Sequence, residues 1–189
     1  MSAGENGPLI EGDKELAFEM LFRATYDRVL SYALRRADPA DADDIVAETY
    51  TTAWRRFSSI PPEPLPWLYG VARKTLANAR RSRHRRARLA TKAADEQHTS
   101  AQVVAGPGER VEDAVLMRAA LAALNEADRE ALMLVAWEGL NNRDASVVLD
   151  VTPEAFAVRL HRARRRLEAH IERLHEHSLS EDQAPSEDR

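Results

Sequence analysis

Apolar residues recur along this chain at three- and four-residue steps, the period of helices that bury one face. From about Asp13 to Arg36 the series Leu16, Met20, Leu21, Tyr26, Val29, Leu30 and Ala33 predicts a first amphipathic helix. Asp38-Pro39-Ala40-Asp41 breaks it and supplies caps for a second. That helix, about Ala42–Phe57, carries Val46, Tyr50, Ala53, Trp54 and Phe57 on a stripe facing a core. Asp41, Asp44, Glu48 and Arg55 fall on an outward polar face, with Ile45 and Thr49 between. Pro61, Pro62, Pro64 and Pro66 cannot continue a helix, but Pro66 can occupy the first turn of the next. The third helix, about Trp67–Arg83, buries Leu68, Val71, Thr75, Leu76 and Ala79. Arg73, Lys74, Asn78, Arg81 and Arg85 sit on or beside its opposite face.

The pattern is lost over Ala87–Glu112, which is rich in Ala, Thr, Gln and Ser and contains Gly106-Pro107-Gly108. It reads as a linker reaching ~85 Å when extended and nearer ~30 Å as a flexible coil. A compact domain has no need of such a length, so a domain boundary is expected here. Beyond it, Val115–Leu124 is one helix, and about Glu126–Trp137 a second, capped by Asn125 and buried through Ala131, Leu132, Val135 and Ala136. A short third, about Asn142–Leu149, opens with Asn141 and Asp144 in the spacing of a capping box. Thr152 caps a fourth, which starts at Pro153 and turns Phe156, Leu160, Ala163, Leu167 and Ile171 inward. Residues 1–12 and 175–189 read as disordered. The expected fold is all-α: two small helical domains, 13–86 and 113–174, joined by a flexible linker at 87–112.

Composition agrees with helices. Seven glycines and 6% aromatics among 189 residues argue against an all-β sandwich or barrel. The absence of cysteine excludes disulfides, thiolate zinc sites, iron–sulfur clusters and a cysteine nucleophile, and fits a reducing cytoplasm. No apolar run approaches the roughly 18 residues of a membrane helix. The first residues lack the basic start and apolar stretch of a secretory signal.

Charge changes the picture more. The net charge of −4 hides a sorting along the chain. Nine of the 27 Lys and Arg lie in Arg73–Lys92, which holds no acid, and six more in Arg159–Arg173 against two acids. Asp38–Glu48 and Glu176–Asp188 are acidic. Two basic blocks in an acidic remainder point to two polyanion-binding surfaces, with solvated arginine-rich faces as the alternative.

The short helix, a turn at Asp150-Val151 and a long basic helix form a helix-turn-helix pattern, whose second helix lies in the DNA major groove. With its apolar stripe inward, that helix turns Glu154, Ala157, Val158, His161, Arg162 and Arg165 outward. Arg159, Arg164 and Arg166 flank them within reach of phosphates. Arginine can fork onto guanine, and histidine or glutamate can read other base edges. A helical hairpin with an arginine-rich exterior is the alternative. In the first basic block, Arg73, Lys74, Arg80, Arg81, Arg83, Arg85, Arg86 and Arg88 attract phosphates. Trp67 and Tyr69 just upstream are aromatics on which unpaired bases can stack, with Trp67 as a simple core residue the alternative.

These residues resemble a family. Asp41-Ala-Asp-Asp-Ile-Val-Ala-Glu-Thr-Tyr-Thr-Thr-Ala-Trp-Arg55 and Pro66-Trp-Leu-Tyr-Gly-Val-Ala-Arg73 are similar to region 2 of extracytoplasmic-function (ECF) RNA polymerase sigma factors. Leu121–Leu132 and Val158–Leu167 are similar to their region 4. The resemblance covers about Glu15–Arg86 and Val115–Arg173, with the linker in the family's usual place. It implies an initiation subunit without enzymatic activity, binding promoter DNA and core polymerase at the β′ clamp helices and the β flap. Asp41, Asp44 and Glu48, with Thr52 and Arg55, would dock on the clamp helices. Lys74, Asn78 and Arg81, with Arg73, Arg80, Trp67 and Tyr69, would lie along the −10 element and help open it. Arg143 and the outward residues Glu154, Ala157, Val158, Arg159, His161, Arg162 and Arg165 would read the −35 element. The resemblance also implies an anti-sigma factor that masks the polymerase-binding surfaces. Ala47 stands where the family usually carries Gln, Lys74 where Asn is common, Asp150 in place of the common turn glycine, and Ala157 in place of a frequent basic or polar residue.

Three rival readings rank lower. An enzyme would need more than Asp41, Asp44 and Glu48 on one helix face, a spacing that can bind a metal but is more plainly an exposed acidic face. No histidine pairs with a second Glu-x-x-His helix, and no phosphate-cradling glycine loop or nucleophile elbow appears. No metal or cofactor is therefore expected. A conventional helix-turn-helix regulator would leave the Asp41–Arg55 helix and the first basic helix without a role. A zinc-binding anti-sigma protein would need cysteine.

Overall fold

The computed structural model describes residues 11–90 and 111–182, with side chains over 12–86 and 115–175, and every regular element among them is helical. The chain divides into two compact units, residues 1–96 and 97–189. Among the described residues no helix is long and apolar enough to cross a membrane. Residues 1–10 and 183–189, expected to be disordered, and most of the expected linker lie outside the described residues.

The first unit packs three helices on one another: α1 (Glu11–Leu34), α2 (Pro39–Arg55) and α3 (Pro64–Ala90). A 3-10 turn at Phe57–Ser59 starts the proline-rich connection to α3. The face that α1 buries is the expected one at Val29 and Ala33 and differs from it over the first turns. Leu16 and Met20 are 60% and 65% exposed, whereas Thr25, Val29, Tyr32 and Ala33 are buried. The reason lies with the aromatics, which bury more area than Leu or Met and set the rotation of the helix. Phe18 packs edge-on against Tyr50, Trp54 and Phe57, and Phe22 against Tyr50. Thr25 joins this face because its hydroxyl donates to Leu21 O at 2.7 Å and pairs with Tyr50 Oη at 2.8 Å.

In α2 the buried stripe is wider than the sequence indicates, taking in Ile45 and Thr49 beside Val46, Tyr50 and Ala53. Thr49 is tolerated in the core because its hydroxyl donates to Ile45 O. Helix α3 begins at Pro64, not near Trp67, and extends to Ala90, past Arg83. Arginine is a good helix former and needs no buried partner, so an arginine-rich helix outlasts its apolar stripe. That stripe is Leu68, Tyr69, Ala72 and Leu76, while Val71, Thr75 and Ala79 are half-buried.

The second unit surrounds one long helix. Helix α7 (Pro153–Asp182) packs on α4 (Val111–Ala122), α5 (Glu126–Ala136) and α6 (Asn142–Leu149). Phe156, Leu160 and Ala163 are buried, and Leu167 and Ile171 half-buried. Helix α5 buries Ala131, Leu132, Met133 and Leu134, while Val135 is half-buried and Ala136 exposed, a rotation from the expected face. Helix α7 continues through 175–182, where an aperiodic tail was expected. Asp150 ends α6 in the left-handed region at φ 58° and ψ 49°, its amide donating back to Ser146 O and Val147 O. Asp tolerates this conformation better than most residues, so the tight turn forms without glycine.

Burial pushes the Tyr50 phenol up to about 12, against the lowering effect of its bond to Thr25. A phenol whose folded pKa is raised supports the fold below its unfolded pKa of about 10 and loses that support as pH climbs toward 12. Between these values the urea midpoint of the wild-type chain should fall more steeply than that of Tyr50→Phe. At pH 7 the same substitution should cost about 0.5–1.5 kcal/mol, the worth of the bond to Thr25. Parallel pH curves for the two proteins would contradict this assignment.

Candidate nucleic-acid interface

The polar side of α3 is built on its buried stripe. With Leu68, Tyr69, Ala72 and Leu76 inward, Lys74, Asn78 and Arg81 are exposed, and Trp67, Arg73 and Arg80 half-buried. Arg81 Nη2 donates to Asn78 Oδ1, which links two of these polar groups along one side of the helix. Tyr69 does not belong with them. It is fully buried and stacked on Tyr32 with ring centroids 4.8 Å apart, so the expectation that it meets a base is corrected: it is a core residue. Arg80 is also engaged inward, donating to Arg36 O at 2.9 Å and tying α3 to the end of α1.

On α2, Asp44, Glu48 and Arg55 are exposed and Thr52 half-buried. Asp43 is exposed with them; its place in the acidic stretch before Asp44 was the signal for it. Asp41 differs from its neighbours because it forms an ion pair with Arg83 of α3 at 2.8 Å. That pair ties the acidic start of α2 to the basic helix, and at its partial exposure it contributes at most about 1 kcal/mol.

In the second unit, Glu154, Val158, His161, Arg162, Arg164 and Arg165 of α7 are exposed, with Ala157 and Arg159 half-buried beside them. Arg143 on α6 is exposed. Thr152 caps α7 by accepting from the Ala155 amide. Backbone hydrogen bonding at Glu154, helped by the Thr152 hydroxyl, holds the Glu154 carboxyl below the usual carboxylate range. Arg166 departs from the expected set of phosphate contacts. Its guanidinium is paired with the buried carboxylate of Asp128 on α5. Asp128 closes the cap of α5 as well, since its amide donates to Asn125 Oδ1 and its carboxylate accepts from Asn125 Nδ2. No local pattern reveals a pair 38 residues apart.

Two units thus each present a basic helix, one next to an acidic helix and one in a helix-turn-helix. Comparison with known proteins gives these shapes a family. The model of Sigma-70 region 2 matches residues 21–86, and that of Sigma-70 region 4 matches residues 114–167. The ECF RNA polymerase sigma factor SigL of Mycobacterium tuberculosis is 30% identical over 162 residues, 82% of this chain and 90% of that one. This chain belongs to the ECF sigma factors of the sigma-70 family. The RNA polymerase sigma factor NccH of Alcaligenes xylosoxydans xylosoxydans is 28% identical over 166 residues, 84% of this chain and 88% of that one. The fold is shared with the sigma factor RpoE of Bartonella quintana, solved in complex with the anti-sigma factor NepR. That likeness has a TM-score of 0.63 at 22% identity, over 82% of this chain and 97% of that one. Sigma factors are non-catalytic initiation factors that bind core RNA polymerase and promoter DNA. The regulator that acts without the polymerase is set aside, because both sigma regions are matched in order.

In this sigma factor the arginines of α7 divide by role, and a salt titration separates them. Arg166→Ala should lower stability by about 1 kcal/mol, and Asp128→Ala by about 1–3 kcal/mol, with the double variant costing less than the sum. Arg166→Ala should leave the salt slope of DNA binding by the holoenzyme unchanged, whereas losing a true phosphate contact lowers it by about one. A lowered slope for Arg166→Ala with unchanged stability would reverse the assignment.

Proposed function

We propose that this sigma factor binds core polymerase through α2 and reads one promoter at two elements through α3 and α7. The observation that carries the reading is how the first unit uses its faces. Helices α1, α2 and α3 spend their apolar faces on one another, while α2 offers carboxylates and α3 offers cations to solvent. An acidic protein-docking helix next to a basic DNA-binding one suits a subunit that must touch polymerase and DNA together.

Asp44, Glu48, Thr52 and Arg55, joined by Asp43 and the Arg83-paired Asp41, dock on the clamp helices of β′. Lys74, Asn78 and Arg81, flanked by Arg73 and Trp67, lie along the −10 element and help open it, while Arg80 holds α3 in place. Arg143, Glu154, Ala157, Val158, Arg159, His161, Arg162 and Arg165 face the −35 element, and the second unit meets the β flap. Between Ala90 and Val111 the chain can span at most ~70 Å, shorter than the sequence indicated because helices extend into both ends. That still matches two duplex turns of roughly 34 Å each. An anti-sigma factor masks the polymerase-binding surfaces, as the complex of the structural relative RpoE with NepR suggests. The work is done in the cytoplasm.

Run-off transcription from a promoter library, with bacterial core polymerase and with or without the protein, tests this reading. Added starts should share two spaced elements. Asp44→Arg should lower transcription at least about tenfold through lost core binding, since reversing a charge in a charged interface costs several kcal/mol. Arg162→Ala should relax choice at one −35 position by about 1–3 kcal/mol. No protein-dependent starts, with duplex binding by the protein alone, would contradict the proposal.

A further inference from the structure

We infer that Val158 reads the C5-methyl group of a thymine in the −35 element. The inference rests on the reading that α7 enters the major groove there. Val158 is 50% exposed, an apolar side chain on the outward face of a helix that also exposes Glu154, His161 and Arg162. Glu154 precedes it by one turn and Arg162 follows by one turn, so all three stand on one ridge. Val158 is not one of the core residues of this helix, which are Phe156, Leu160 and Ala163. A valine on a helix is confined almost to one rotamer, so it holds its two methyl groups in a fixed direction at little entropic cost.

Duplex DNA offers such a group one partner that distinguishes bases. Of the four base-pair orientations, only those with thymine present a methyl group in the major groove, and apolar side chains recognise it by contact. Covering that methyl removes apolar area from both sides. The surrounding charge favours this occupant over an apolar protein partner. Arg159 and Arg164 lie within six residues of Val158 and match phosphates. Spacing then ties the thymine to a second base. Val158 and Arg162 are about 6 Å apart along the helix axis, which corresponds to one or two base steps at about 3.4 Å. The thymine therefore lies within two base pairs of the base that Arg162 reads, for which guanine is the matching partner of an arginine.

The test uses holoenzyme on synthetic promoters in which each −35 thymine is replaced by deoxyuridine, which lacks only the methyl group. At one position this change should weaken wild-type binding about fourfold, the worth of one buried methyl group. Holoenzyme with Val158→Ala should bind both promoters equally, and Val158→Thr, which keeps one methyl, should fall between. Guanine-to-adenine changes in the same element serve as the second arm. Uracil without effect, or discrimination that survives Val158→Ala, overturns the inference, and if the guanine changes still matter the −35 reading itself stands. Indifference to both changes removes that reading together with the inference.

Discussion

The stack of Tyr32 on Tyr69 is the contact on which the first unit depends. Both rings are fully buried, and Arg36 lies across the outer face of Tyr32 with its guanidinium carbon 3.7 Å from the ring centre. Arg36 is itself buried and donates to Tyr32 O, while its own carbonyl accepts from Arg80. One end of α1 is thereby joined to α3 by a ring stack, a cation over a ring and a hydrogen bond. A helix as rich in like charge as α3 repels itself and has few apolar residues to hold it. Fixing it from behind leaves Lys74, Asn78 and Arg81 facing solvent in a set position.

The second unit solves the same problem with a different contact. Helix α7 is anchored by Phe156, Leu160 and Ala163 and, further along, by the pair between Arg166 and Asp128. Asp128 is 5% exposed, so its charge requires the partners it has in Arg166 and in the capping Asn125. The arginines of both basic helices thus fall into two groups. Arg80, Arg83 and Arg166 bind the protein to itself, and Arg81, Arg162 and Arg165 face outward. A count of basic residues overstates the surface available to DNA for this reason.

Helix number, order and type were legible in the sequence because the apolar period is strong and because Asn125, Asn141 and Thr152 mark helix starts by their chemistry. Their side chains accept the expected amides in all three cases. What was not legible is which way some helices turn. Leu16 and Met20 fit the period of α1 as well as Phe18 and Phe22 do, and only contact with Tyr50 and Trp54 from α2 decides between them. Thr25, Thr49 and Asp128 are polar yet buried: Thr25 meets Tyr50 and Asp128 meets Arg166 only in the fold, and Thr49 donates to Ile45 O one turn back. Tyr69 shows the same limit in reverse. An aromatic beside a basic run suits a base or a core equally well, and Tyr32, 37 residues earlier, settles it. The outward faces of α2 and α7 were easier to read, because charged residues take most of their exposed positions.

The chain has no cysteine, so a single introduced thiol can carry a DNA-cleaving probe without background labelling. The most direct test of the account places such a probe at Lys74→Cys or at Arg165→Cys, in holoenzyme on one promoter, and maps the cuts. Cuts from position 74 should cluster at the −10 element and cuts from position 165 at the −35 element, about two duplex turns upstream. Cuts from both positions at a single element, or cuts that appear equally without polymerase, would contradict the claim that the two basic helices read one promoter from within the enzyme.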